Sequence, residues 1–124
     1  DLASLNILTP HEVPKASEHI AEQIAYIETL DQKGYVYKTK DGLYFDTGKF
    51  PQYGILQKIT HDEEEHSRIG INNEKKSSAD FALWQFNTKG FDSPWGTGFP
   101  GWHIECTAMS TKYLLQRTLD QILW

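Results

Sequence analysis

A mixed α/β domain is the fold this sequence predicts, and three observations predict it. Apolar residues recur at helical spacing through SEHIAEQIAYIETLDQKG. Two short β-prone runs then flank Asp41-Gly42, a pairing that marks a hairpin. Further on, ADFALW reads as a buried strand ahead of a stretch rich in Gly, Pro and Trp. With 124 residues, 39% of them hydrophobic and 23% charged, the chain suits one ordinary soluble domain.

The first element is a helix whose inward stripe is Ile20, Ile24, Ile27 and Leu30. Ser17 is its expected N-cap, Glu18 suits the positive end of the dipole, and Gly34 is placed to end it in a left-handed conformation. The hairpin follows, with strands expected over Tyr35–Tyr37 and Leu43–Asp46. Helix and hairpin together make a small α+β unit. From Gln57 to Ser78 the chain is polar, charged and without period, and reads as a surface loop. The core resumes at ADFALW, and HIECTAMSTKYLL forms a second helix with Ile104, Ala108 and Leu115 facing inward. No internal repeat is present.

Composition excludes several classes of function. No apolar run approaches the roughly 18 residues of a membrane span. The N-terminal DLASLNILTP has no basic region followed by an apolar core, so no secretory signal is expected. One cysteine rules out an internal disulfide framework and fits a reducing, cytoplasmic setting. The net charge of −5 argues against a broad phosphate-binding surface, although a local basic patch remains compatible with it.

Chemistry concentrates in DSPWGTGFPGWHIEC, which ends on that one thiol, Cys106. A lone cysteine reads first as a small buried hydrophobe; the functional readings are a metal ligand or a nucleophile. His103 lies three residues before Cys106, so on a helix the two share a face, but a structural zinc site takes four ligands. His61 and His66 flank Asp62, Glu63, Glu64 and Glu65, a run better read as a solvated acidic loop than as a metal cluster. Gly96, Gly98 and Gly101 allow close backbone approach, while Pro94 and Pro100 stiffen whatever Trp95, Phe99 and Trp102 present. Rigidity placed directly before Trp-His-Ile-Glu-Cys suits a pocket wall leading to a thiol.

Those residues resemble the cysteinyl-tRNA synthetase family. The resemblance rests on ADFALW and PGWHIEC, and extends to LNILTPHEVPKASEHI, KGYVY, GLYFD and QYG, from about Leu2 to Leu114. It implies part of a Rossmann-type class I catalytic domain carrying a small α+β connective insertion. It also implies activation of cysteine with ATP and transfer to tRNA(Cys), with a catalytic Zn(2+) holding the substrate thiolate. Cys106 matches one zinc ligand of the family and Trp102 a tryptophan lining the amino-acid pocket; His103 matches no ligand. The family's other zinc ligands and both ATP-binding signatures are not found between Asp1 and Trp124, and Met109-Ser110 is not one of those signatures.

The expectation is therefore an internal piece. Residues 1–16 would lead in from the first catalytic half, 17–80 would be the insertion, and 81–124 the start of the second half. No catalytic residue is expected within the chain, which would be inactive by itself and prone to self-association through apolar surface that the missing catalytic halves cover. Two alternatives stand beside this: a segment of the related mycothiol-pathway cysteine ligase, and a non-enzymatic module binding tRNA or a protein.

Overall fold

The computed structural model describes residues 2–54 and 74–114. Its elements run α1 (Ile20–Gln32), β1 (Val36–Lys38), β2 (Gly42–Phe45), β3 (Phe81–Phe91), β4 (Gly98–Pro100) and α2 (Trp102–Tyr113). The strands form one antiparallel sheet in the order β1-β2-β3-β4. The mixed class is as expected, with both helices and the sheet present. Every described strand pair is antiparallel, so the Rossmann expectation, which concerns a parallel sheet, is carried only as a proposal about the larger protein.

Helix α1 buries Ile27 and Leu30 fully, with Ile20 and Ile24 packed against the same core, the stripe the periodicity predicts. Its start differs from expectation. Ser17 lies inside a short 3-10 turn, Ala16–Glu18, and α1 begins at Ile20 with no side-chain cap. That turn closes the backbone of Ala16 onto His19, so Ser17 is exposed and precedes the helix too far to cap it. Its end is as expected. Gly34 adopts φ +80°, Tyr35 N–H donates to Leu30 O at 3.1 Å and Gly34 N–H to Asp31 O at 2.8 Å. This is the paired closure of a Schellman motif, and it turns the chain directly into β1.

The hairpin forms with Val36, Tyr37 and Lys38 opposite Phe45, Tyr44 and Leu43. Strand β3 is longer than ADFALW, because Gln85 to Phe91 continues it as an extension whose exposed residues are Gln85, Asn87, Thr88, Lys89 and Phe91. The core is Ile27, Leu30, Leu43, Phe45, Leu83, Trp84 and Ile104, placed between the sheet and the two helices. Leu115, the acidic run 61–66 and most of the loop predicted from Gln57 to Ser78 fall outside the described residues.

Where the chain re-emerges from that loop, a polar cluster locks it to the hairpin. Lys76 Nζ donates to Asp46 Oδ2 at 2.8 Å and lies 4.5 Å from the Tyr37 ring centroid. The hydrogen bond from Lys76 holds the Asp46 carboxyl below its ordinary value of 3.8. A folded-state value depressed in this way contributes stability that is present above the unfolded value and lost as pH falls through the folded one. Lys76→Met should therefore reduce the loss of stability between about pH 5 and pH 3, measured as the shift in urea midpoint. Equal acid sensitivity in the two proteins would show that the pair does not set it.

Candidate functional site

The segment singled out by sequence is a strand, a single-residue joint and a helix. Strand β4 pairs with β3, Trp84 opposite Pro100 and Gln85 opposite Phe99. The joint is Gly101, whose N–H donates to Leu83 O at 2.9 Å. A Cβ at Gly101 would lie 1.9 Å from Ala82 O, so only glycine lets the chain run this close to β3 before turning into α2.

The glycines thus have a role different from the one expected. What approaches Gly98 and Gly101 is the backbone of β3, with no space left for a ligand: a Cβ at Gly98 would meet Gln85 O at 2.2 Å. Gly96 sits in the β3–β4 turn, where its carbonyl accepts from Trp84 Nε1 at 3.2 Å and from Ser93 Oγ at 2.6 Å. Trp95 is half-buried against Trp84, ring centroids 6.2 Å apart, and so belongs to the packing of the hairpin. Phe99 faces outward and meets Phe91 edge-on at 6.0 Å. A shallow open depression on this hairpin, lined by Phe86, Asn87, Thr88, Trp95, Gly96 and Thr97, includes neither Trp102 nor Cys106.

Helix α2 buries Ile104, Thr107 and Ala108 and turns Trp102, His103 and Cys106 to solvent. Cys106 is a free, exposed thiol, so the reading of a buried small hydrophobe is corrected: the inward positions of this turn belong to Ile104, Thr107 and Ala108. Trp102 is 83% exposed and stands four residues before Cys106, which puts indole and thiol on the same helix face one turn apart. His103 packs on Phe81 with ring centroids 4.7 Å apart. Glu105, on the same helix, is half-buried, and burial raises its carboxyl above its ordinary value.

The far end of α2 is fastened to α1. Tyr113 O–H donates to His19 Nε2 at 2.9 Å, and His19 Nδ1–H donates to Lys15 O at 2.8 Å. The Lys15 carbonyl can only accept, which fixes the proton on Nδ1 and leaves Nε2 as the acceptor in the neutral ring. Lys112 pairs with Glu22, and its hydrogen bond draws the Glu22 carboxyl below its ordinary range. None of these fastenings was read from the sequence, since the partners are about 90 positions apart.

Among the described residues no group of three or more His, Cys, Asp and Glu side chains converges. Cys106 thus has no such group around it among the described residues. His103 faces solvent beside it, but its ring is engaged by Phe81. What α2 offers is one accessible thiol and one accessible indole, held in fixed register by a packed scaffold.

Known proteins resemble this chain along most of its length. The family described as tRNA synthetases class I (C) catalytic domain matches residues 1–121, beyond the Leu114 at which the sequence resemblance was expected to end. A Burkholderia lata protein named cysteine–tRNA ligase 1 is 51% identical over 120 residues, covering 92% of this chain and 26% of its own length. Cysteine–tRNA ligases of Methanococcus aeolicus and Deinococcus radiodurans are 50% and 46% identical, each over 92% of this chain and 24% of their own. The chain thus spans about a quarter of the length of the curated relatives it matches.

Proposed function

Because the chain belongs to the class I (C) tRNA synthetase catalytic-domain family, we propose that it is a segment of a cysteine–tRNA ligase, with Cys106 one of several ligands to a catalytic zinc and Trp102 a wall of the amino-acid pocket. The larger protein activates cysteine with ATP, on a Rossmann-type core, and passes it to tRNA(Cys) in the cytoplasm. Residues 17–80 form its connective insertion and 81–124 open its second catalytic half, with 1–16 leading in from the first.

The observation that carries this reading is the placement of Cys106 and Trp102 together on the outward face of α2, while the opposite face is fixed in the core. A bound zinc would supply a soft Lewis acid that favours a substrate thiolate over a hydroxyl. Discrimination of this kind is hard to reach by shape alone, because cysteine and serine are near-isosteres. The chain's own part is to fix the thiol of Cys106 and to line the pocket with an indole. Gly101, packed against β3, and Ile104, buried in the core, keep both from drifting.

With Cys106 its one proposed zinc ligand and neither ATP-binding signature in its sequence, the 124-residue chain should give no cysteine-dependent ATP–pyrophosphate exchange, whereas the longer protein should. Exchange by the purified chain would overturn this. A reading frame that fails to continue into nucleotide-binding signatures on either side would remove the ligase assignment altogether.

A further inference from the structure

A column of aromatic rings links the α1–hairpin unit to the first turn of α2. Tyr35 stacks on Phe45 at 5.7 Å, Phe45 stacks on Phe81 at 5.1 Å, and Phe81 receives His103 at 4.7 Å. Tyr53 covers Phe81 from another side at 6.3 Å. Phe45 is buried in the core, so the column is anchored at its centre. His103 is its outermost member, and it is exposed on α2, to one side of the face that carries Trp102 and Cys106.

We propose that His103 is a positioning residue: seated on Phe81, it fixes the rotation of α2 about its own axis and thereby the direction in which Cys106 and Trp102 point. The physical need is visible in the burial pattern. The inward stripe of α2 is Ile104, Thr107 and Ala108, and only the first is a large apolar side chain. Tyr113 and Lys112 fasten the last turn of α2 to α1, but in the first two turns, which carry Trp102 and Cys106, Ile104 is the one large apolar anchor, and a single anchor resists local rolling weakly. Neighbouring residues project about 100° apart, so His103 supplies a second anchor well to one side of Ile104. Cys106 projects about 60° from His103, one turn further along. With side-chain atoms about 5–6 Å from the axis, a roll of about 20° would carry the Cys106 sulfur some 2 Å. A misplacement of about 1 Å is enough to cost on the order of 100-fold in a reaction that depends on alignment.

The role in substrate placement rests on the ligase reading, whereas the ring seat does not, and two measurements separate them. In the 124-residue chain, His103→Ala should speed amide hydrogen exchange of Cys106, Thr107 and Ala108 about tenfold, with the Leu30 amide unchanged. His103→Phe, which keeps a ring on Phe81, should restore the slow rates. In the longer protein, His103→Ala should raise KM for cysteine about tenfold with KM for ATP unaltered, and His103→Phe should again restore it.

Unchanged exchange in His103→Ala, or exchange as fast in His103→Phe, overturns the seat. Faster exchange with an unchanged KM for cysteine overturns the positioning role. A wild-type longer protein that fails to activate cysteine overturns the ligase reading and the role with it, while the exchange rates still decide whether the ring seat exists.

Discussion

Asp80→Ala is expected to destabilise the chain by about 3–4 kcal/mol, among the largest effects of any single side-chain removal. Asp80 is 2% exposed, and among the described residues no lysine or arginine is paired with it. Its carboxylate instead accepts four hydrogen bonds: from Tyr37 O–H at 2.7 Å, Thr47 N–H at 2.9 Å, Thr47 Oγ1–H at 2.7 Å and Ser77 N–H at 3.1 Å. Hydrogen bonds to a buried charged acceptor are stronger than neutral ones. Burial, the largest influence, raises the Tyr37 phenol well above its ordinary value, so it remains a donor throughout the working range. Removing the carboxylate leaves the buried Thr47 N–H and hydroxyl without their acceptor and releases the start of β3 from the residues following β2. Urea unfolding with an unchanged m-value measures the cost directly. A loss below about 1 kcal/mol would mean that water replaces the carboxylate, contrary to this account.

Cys106→Ser should leave stability almost unchanged, because the side chain is exposed and similar in volume. Its expected effect is on chemistry in the longer protein, where kcat/KM for cysteine activation should fall at least about 100-fold. A serine hydroxyl stays protonated near neutral pH and is a hard, weak donor to zinc, so the substitution removes a ligand without disturbing α2. Cys106→Asp is the instructive companion. A carboxylate can ligate zinc, though at a different reach, so partial recovery of zinc binding without full activity is expected. Activity within about threefold of wild type in Cys106→Ser would exclude Cys106 from the site.

How much of this was legible in the sequence differs from element to element. The stripe of Ile20, Ile24, Ile27 and Leu30, the Gly34 terminator and the Asp41-Gly42 hairpin are local patterns, and the structure follows them. The start of α1 was misplaced because Ser17 has the chemistry of a cap, while the backbone of Ala16–Glu18 closes a 3-10 turn first. Strand β4 was hidden by its composition. Gly98 and Pro100 have poor strand propensity and leave Phe99 as the one strand former of the three, so the segment pairs only because β3 is there to receive it. The same proximity explains why the glycines of that stretch serve strand packing and not ligand access.

Of the candidate site, Trp102 and Cys106 were found through resemblance, and their shared exposed face is what helical spacing implies. Burial of Asp80 and the seating of His103 on Phe81 could not be read in advance, since each depends on contacts between elements far apart in sequence. One local signal did exist for Asp80. A charged residue directly before an apolar strand, preceded by two serines, is a common way to collect backbone and hydroxyl donors.

The most direct test of the central claim is the zinc content of the longer protein, wild type and Cys106→Ser, measured together with cysteine-dependent ATP–pyrophosphate exchange. The account predicts about one tightly held zinc per wild-type chain, and its loss in step with exchange in the variant. A variant that keeps its zinc and still activates cysteine would contradict the assignment of Cys106 as a ligand.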